Sequence, residues 1–373
     1  MSHPPASTSR LRSLDALRGF DMLWIAGLGA MLGAWAESND WRWLDAAAAQ
    51  AEHAEWHGFT FWDLIFPLFL FVAGVALPFS FQARRAAGAR DSTLALHALR
   101  RGLTLVALGL VYNGLLKFDF ATLRCASVLG RIGLAWMLAA WIALACGSFR
   151  ARATWVVGLL LGYWALLTLV PVPGFGPANL DPGTNLVDWF DQHFLPGRLH
   201  RAVRDPEGLL ATLPAVATAL CGVLAGDWLA RADVAPTRKV NGLAGAALAC
   251  LALGATWALV FPLNKNLWTS SFVVWCAGWS LVLLAVFHLA IDVLKLGERP
   301  VFGAGVRFLE VVGANAIAIY VLQAFVGFDA LAELLLAGRG ALKLHPALVA
   351  GGGLGLKWLV LWILWRARLF LRV

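Results

Sequence analysis

Ten stretches of mostly apolar residues recur along the chain, at 14–35, 59–82, 94–115, 125–146, 152–170, 209–230, 242–262, 268–294, 307–330 and 346–368. A membrane-spanning helix needs about 20 such residues. Backbone groups in lipid must be satisfied within the segment itself, which a helix does. The pattern predicts an all-α polytopic membrane protein, a bundle of about ten transmembrane helices with membrane lipid as its surroundings. Composition agrees: 60% of residues are hydrophobic and 14% charged, against about 25% charged in soluble domains. Many of the 19 tryptophans stand near segment ends, where interfacial belts form. No fixed repeat or composition shift divides the chain, so 1–373 reads as a single domain.

An even number of spans places both termini on one side. With the N-terminus inside, 19 of the 30 basic residues fall on the inner face, from Arg10, Arg12 and Arg18 to Arg366, Arg368 and Arg372. The positive-inside rule then predicts N-in, C-in. The polar Met1–Ser13 segment precedes an apolar run without a small-residue cleavage site, so we expect no removable leader. The formal charge of +8 does not point to nucleic acid, because the basic residues lie in short loops and form no continuous patch. The five cysteines are scattered without CxxC spacing, and neither a disulfide framework nor a zinc site is expected.

Polar groups at a membrane edge cost free energy unless they are paired or working. The segment Glu52-His-Ala-Glu-Trp-His-Gly-Phe-Thr-Phe-Trp-Asp-Leu-Ile-Phe-Pro67 gathers two histidines and three acids at the mouth of the second span. His53 is the first candidate for chemistry, as general base or as nucleophile. Asp63 and Glu52 are possible orienters of its other ring nitrogen. An interfacial histidine bonded to headgroups is the competing reading. His57 lacks a third ligand for zinc, so no metal is expected. Asp63 lies inside a span, where acids usually face the bundle interior. Asp15, Arg18 and Asp21 share one helix face and read as an ion network. Arg131, within the fourth span, calls for a carboxylate such as Asp63 or for a phosphate.

On the same outer side, Asn264-Lys-Asn266 with Trp268 mixes amide, ammonium and aromatic groups, which suits a carbohydrate or a solvated turn. Trp56, Glu207, Asn264, Lys265, Asn266, Trp268 and Asn315 form the candidate substrate-binding set, although Asn315 also reads as interhelical glue. Arg84 and Arg85, with Arg100 and Arg101, flank an inner loop. They either hold nucleotide phosphates or only set topology.

Together these segments resemble the heparan-α-glucosaminide N-acetyltransferase family of transmembrane acyltransferases, especially bacterial members without the luminal domain. The resemblance rests on Arg10-Leu-Arg-Ser-Leu-Asp-Ala-Leu-Arg-Gly19, the His53 segment through Pro67, Val128-Leu-Gly-Arg-Ile-Gly133, Asp205-Pro-Glu-Gly208, Pro262-Leu-Asn-Lys-Asn-Leu-Trp268, and Gly313-Ala-Asn315 with Tyr320, in family order. It implies acetyl transfer from cytoplasmic acetyl-CoA to the amine of a glucosamine-type sugar on the far side. It also implies His53 as the catalytic histidine, CoA inside the bundle and open to the cytoplasm, a homodimer, and a bacterial inner membrane; Arg131, Arg84 and Arg85, read above as possible phosphate partners, are the candidate CoA contacts. Ala26-Gly-Leu-Gly29 departs from the family in lacking an asparagine, and Gln323-Ala324 stands where a histidine-glutamate pair is usual. A secondary transporter of an amino sugar is the alternative, since Asp63 and Arg131 would serve a solute path. A non-catalytic scaffold ranks last.

Overall fold

The structure is a computed structural model that describes residues 11–338 and 343–371. The predicted polar start Met1–Arg10 and the basic residue Arg372 lie outside the described residues. The described residues form helices α1 (Arg12–Leu23), α2 (Gly29–Ala36), α3 (Arg42–Ala49), α4 (Phe61–Ala86), α5 (Asp91–Tyr112), α6 (Val128–Ala145), α7 (Phe149–Leu169) and α8 (Leu186–Phe194). They continue with α9 (Thr212–Ala230), α10 (Pro236–Ala258), α11 (Ser270–Phe287), α12 (Pro300–Ala314), α13 (Ala316–Leu322), α14 (Phe328–Ala337) and α15 (Pro346–Arg366). Nine helical stretches among the described residues are long and apolar enough to cross a membrane, or ten if the bent pair α12–α13 counts as one.

Helix α4 is the centre of the bundle: 72% of its most apolar window is buried, against 17% for α10 and for α15. Its closest neighbour is α9, and glycines allow that approach. A Cβ added at Gly74 would lie 2.1 Å from the Ala219 carbonyl oxygen, and one at Gly222 would lie 2.0 Å from that of Phe71. Side chains at these positions would force the two backbones apart.

Two spans differ from their sequence outline. The first is interrupted by a π-helical segment, Trp24–Leu28, with Gly27 at φ 136°, so α1 and α2 are separate pieces. The ninth, expected as 307–330, starts at Pro300, bends by 64° between Ala314 and Ala316, and ends at Leu322. The bend sits at Asn315, whose side-chain amide donates to the Leu369 carbonyl at 3.0 Å and accepts from the Leu371 N–H at 3.0 Å. A side chain that ties down the C-terminal backbone at this point offsets the ladder bonds lost in the break. Helices α3 and α8, and most of α14, lie in segments read as loops.

Candidate functional site

The site begins at the first turn of α4. Asp63 is buried and has its two carboxylate oxygens divided between two tasks. Oδ2 accepts the backbone N–H groups of Ala54 and Thr60, each at 3.2 Å, which fixes the helix start and the loop before it. Oδ1 faces His53 Nδ1 at 2.7 Å. Since a carboxylate only accepts, this contact puts the ring proton on Nδ1 and leaves the lone pair on Nε2. Glu52, the other possible orienter, is exposed and gives only its backbone carbonyl to the Thr60 hydroxyl, at 2.5 Å. The His53 side chain is half exposed, while that of Asp63 is 2% exposed.

A second loop closes over the first. The Gly58 N–H donates to the Leu263 carbonyl at 2.8 Å, and the Asn264 amide nitrogen is 3.3 Å from His57 Nδ1. This loop is a tight turn in which the Asn264 side chain accepts from the Leu267 N–H at 2.9 Å, and the Thr269 hydroxyl accepts from the Asn264 N–H at 3.1 Å. From it Lys265 reaches His53: Nζ lies 3.0 Å from Nε2, 3.1 Å from Nδ1 and 3.7 Å from Asp63 Oδ1. Almost equidistant from the two ring nitrogens, the ammonium lies over the imidazole face, off the in-plane lone pair of Nε2. Burial holds the Lys265 ammonium below the ordinary lysine range, and Asp63 and Glu207 oppose that fall.

His53, Lys265, Glu207 and Trp62 line the polar mouth of a chamber of about 190 Å³, whose walls are otherwise mostly apolar, among them Met22, Ile25, Phe66, Phe69 and Ile132. Glu207 is held there by an ion pair with Arg124, which also grips Asp205. A second chamber of about 300 Å³ opens toward the other end of α4, lined by Arg18, Arg84, His97 and Arg101 and by no acid among the described residues. Arg84 lies 3.1 Å from His97 Nε2. Arg101 lies over the Trp136 ring at 4.2 Å, and its buried Nε has no partner. Arg18 is paired with Asp15 at 3.1 Å.

The two chambers meet at Phe69, Ala316 and Ile317, which line both. On α4 the lining residues Trp62, Phe66, Phe69, Ala73, Ala76, Ser80 and Arg84 follow one another at three or four residues, which is one helix face. That stripe runs from beside Asp63 to Arg84, roughly 30 Å along the axis. Two curated relatives align over most of the chain: the human heparan-alpha-glucosaminide N-acetyltransferase, 26% identical over 372 residues and 84% of this chain, and the mouse protein of the same name, 25% identical over 85%.

The chain is a relative of the heparan-alpha-glucosaminide N-acetyltransferases.

It spans about half the length of the curated relatives it matches, 52% and 53%. No protein-family model matches it. The segments that carry the resemblance are short and dispersed along the chain, and the fold gathers several of them. His53, Lys265 and Glu207 line one chamber, and Asp63 stands behind His53.

Other expectations need correction. Trp268 is no platform for a sugar. Its ring is buried against Phe66 at 4.8 Å and Phe272 at 5.6 Å, its Nε1–H donates to Thr218 Oγ1 at 3.1 Å, and its φ of 52° is tolerated because that packing holds it. Arg131 does not pair with Asp63. It donates to the Gly208 carbonyl at 2.9 Å and lies 5.2 Å over Trp268, at the His53 end of the bundle and away from Arg84. Arg85 pairs with Asp91 at 2.8 Å and lines a different cavity from Arg84. Asn264 is fully buried and engaged in its own turn, and Asn315 spends its amide on the C-terminal backbone. Asn266 is half-buried in the same turn as Lys265. Trp56 donates to the Leu180 carbonyl at 3.0 Å, with Arg204 over its face at 4.6 Å, and does not line the chamber. Asp15 and Arg18 pair, but Asp21 is buried with both oxygens unpartnered. His97, Trp62 and Arg124 were not singled out in the sequence, since each reads as an ordinary helix or loop residue until the chambers are seen. Among the described residues no group of three His, Cys, Asp or Glu gathers as for a metal ion.

Proposed function

We propose that this chain is a transmembrane acetyltransferase that moves an acetyl group from acetyl-CoA to the amine of a glucosamine-type sugar. One observation carries the reading: a single face of α4 lines a basic chamber and a histidine chamber that share Phe69, Ala316 and Ile317. A donor with phosphates suits the basic chamber, where three arginines and a histidine line the wall, only Arg18 of them ion-paired among the described residues, with Asp15 behind it, and one buried nitrogen of Arg101 lacks a hydrogen-bond partner. An amine acceptor suits the other, where Glu207 supplies negative charge and His53 presents a lone pair. The names of the two relatives support the same reaction.

In this reading His53 Nε2 takes the proton from the acceptor amine as it attacks the thioester. Asp63 holds the ring in the tautomer that makes this possible. Positioned base catalysis of this kind is worth about 10²–10⁴ in rate. The basic chamber lies on the cytoplasmic side, consistent with the excess of arginine at that end. We further propose that 1–373 acts as one domain, as a homodimer in a bacterial inner membrane. No observation favours the transporter reading.

The test is acetylation of glucosamine by the purified full-length protein with acetyl-CoA, read by mass spectrometry of the product. His53→Gln and Asp63→Asn should each lose about 10²–10⁴ in kcat while keeping the wild-type melting temperature. A folded His53→Gln protein with undiminished transfer would sink the mechanism. A wild-type protein without donor-dependent product would sink the reaction itself.

A further inference from the structure

The acid that lines the histidine chamber, Glu207, stands on a turn whose backbone is tied on both sides of it. Asp205 accepts the Glu207 N–H at 2.9 Å and the His200 N–H at 3.0 Å, and pairs with Arg124. The Gly208 N–H donates to the Asp205 carbonyl at 3.1 Å, and the Leu209 N–H donates to Asp191 Oδ1 at 2.8 Å. The Gly208 carbonyl accepts twice, from Arg131 Nη2 at 2.9 Å and from the Thr212 hydroxyl at 3.2 Å. These bonds fix where the Glu207 side chain leaves the backbone. Arg124 bonds to its Oε2. Among the described residues nothing bonds to Oε1, so that oxygen is left for a ligand.

Arg131 is the costly member of this set. It is 1% exposed, and its Nε and Nη1 have no partner. A buried charge with bonds unmade costs stability, and an apolar side chain of similar volume is often no worse for packing. The hydrogen bond it does make goes to the carbonyl of the residue after Glu207. Arg131 lines neither chamber, so what it does for a ligand it does through this turn.

We infer that Arg131 is a positioning residue for the acceptor: its bond to the Gly208 carbonyl fixes the 205–209 turn, so that Glu207 Oε1 receives an N–H of the acceptor amine in the histidine chamber. The inference rests on the acetyl-transfer reading. It places Arg131 on the acceptor side, whereas its residue type and place in the sequence suggested the donor. Glu207 anchors the amine by one N–H and leaves another for His53 Nε2. An alcohol has a single O–H and cannot serve both, so the arrangement selects amines.

The experiment compares wild type with Arg131→Met, Arg131→Lys, Glu207→Gln and the double variant Arg131→Met/Glu207→Gln, each checked for folding by its melting temperature. Two quantities are read: steady-state kinetics of acetyl transfer to glucosamine, and the affinity for desulfo-CoA by calorimetry. Arg131→Met should raise the KM for glucosamine by about 10-fold or more, with kcat changed far less and desulfo-CoA binding as in wild type. Glu207→Gln should raise that KM at least as far. Arg131→Lys, which keeps a cationic donor, should recover part of the loss. Because Arg131 acts through Glu207, the double variant should be little worse than Glu207→Gln alone. A folded Arg131→Met with the wild-type KM overturns the inference, and so does weaker desulfo-CoA binding, which would return Arg131 to the donor. Full addition of the two losses in the double variant also overturns it, since the guanidinium would then act apart from Glu207. Should Arg131→Met not fold, Thr212→Val, which loosens the same carbonyl, takes its place, and an unchanged KM in both it and Arg131→Lys is the overturning result. Each of these outcomes leaves the acetyl-transfer reading standing. A wild type without donor-dependent product sinks that reading and this inference with it.

Discussion

A residue's type announces its chemistry, and its neighbours decide whether that chemistry is available. His53 and Asp63 stood out because an acid inside a span is uncommon, but only the 2.7 Å contact from His53 Nδ1 to Asp63 Oδ1 separates Asp63 from Glu52 as the orienter. The places of Trp268 and Arg131 were not legible, because their partners lie far away in sequence: Arg131 of α6 donates to the Gly208 carbonyl and lies over the Trp268 ring. Asp191 is a similar case. It is fully buried in α8, its Oδ1 accepts the Leu209 N–H at 2.8 Å, and its Oδ2 has no partner. Gly208 lies against it so closely that an added Cβ would fall 1.5 Å from Oδ2. Burial pushes its carboxyl up to about 6, against opposing bonds from the Leu209 and Leu210 N–H groups and the charge of Arg131. The folded value is raised, so the stabilisation is fully present below about pH 4, the unfolded value, and is lost as pH rises through about 6. Burial moves neighbouring Asp188 in the same direction. Thermal stability of the wild type should therefore fall between about pH 4 and pH 7, by about 3 kcal/mol at most from Asp191. Asp191→Asn keeps an acceptor for the Leu209 N–H and should flatten that slope. An equal slope in the two proteins would show that the group is not titrating there.

At the scale of elements, apolar run length was enough to locate the spans, because a bilayer demands it. The breaks were hidden. The bend at Asn315 depends on bonds to Leu369 and Leu371, more than fifty residues away. The break at Gly27 is accompanied by Lys357 Nζ donating to the Ala26 carbonyl at 2.6 Å, again a contact between the two ends of the chain. What sets the bent helix against the first span is a pair of glycines. A Cβ at Gly313 would lie 1.9 Å from the Asp15 carbonyl oxygen, and one at Gly19 would lie 1.9 Å from that of Leu309. Both obstacles are backbone, so neither can turn aside. Gly313→Ala should cost about 1–3 kcal/mol, read as a lower melting temperature in detergent. Gly305→Ala, on the same helix with nothing within 4 Å of its added Cβ, should be neutral or stabilising by up to about 1 kcal/mol. If both behave alike, backbone contact is not what joins α1 and α12.

For the whole molecule, the question is whether the two chambers act as one path. Linear position puts His53 near one end of α4 and Arg84 at the other, whereas His97 and Arg101 join Arg84 only through the packing of α5. The middle was illegible, because Phe69, Ala316 and Ile317 are apolar residues like many others until the bend brings α13 against α4. If acetyl transfer requires a donor that enters among Arg84, His97 and Arg101 and reacts beside His53, then the neck between the chambers is the most sensitive apolar position in the protein. Ile317 is half-buried and faces both chambers, so a larger side chain there fills the path before it disturbs the core. Ile317→Trp should keep the affinity of the basic chamber for desulfo-CoA, measured by calorimetry on the purified protein. It should lower acetyl transfer by about 10²-fold, the usual consequence of holding a reacting group an ångström or more from its place. Arg101→Met should do the reverse, weakening desulfo-CoA binding while leaving transfer at saturating donor much less affected, because its guanidinium lies over Trp136, at the end of the path away from His53. Opposite responses at the two positions are what a single conduit with a binding end and a reacting end requires. Equal loss of binding and transfer in both variants would instead place the donor somewhere other than this path, and the basic chamber would then serve another purpose.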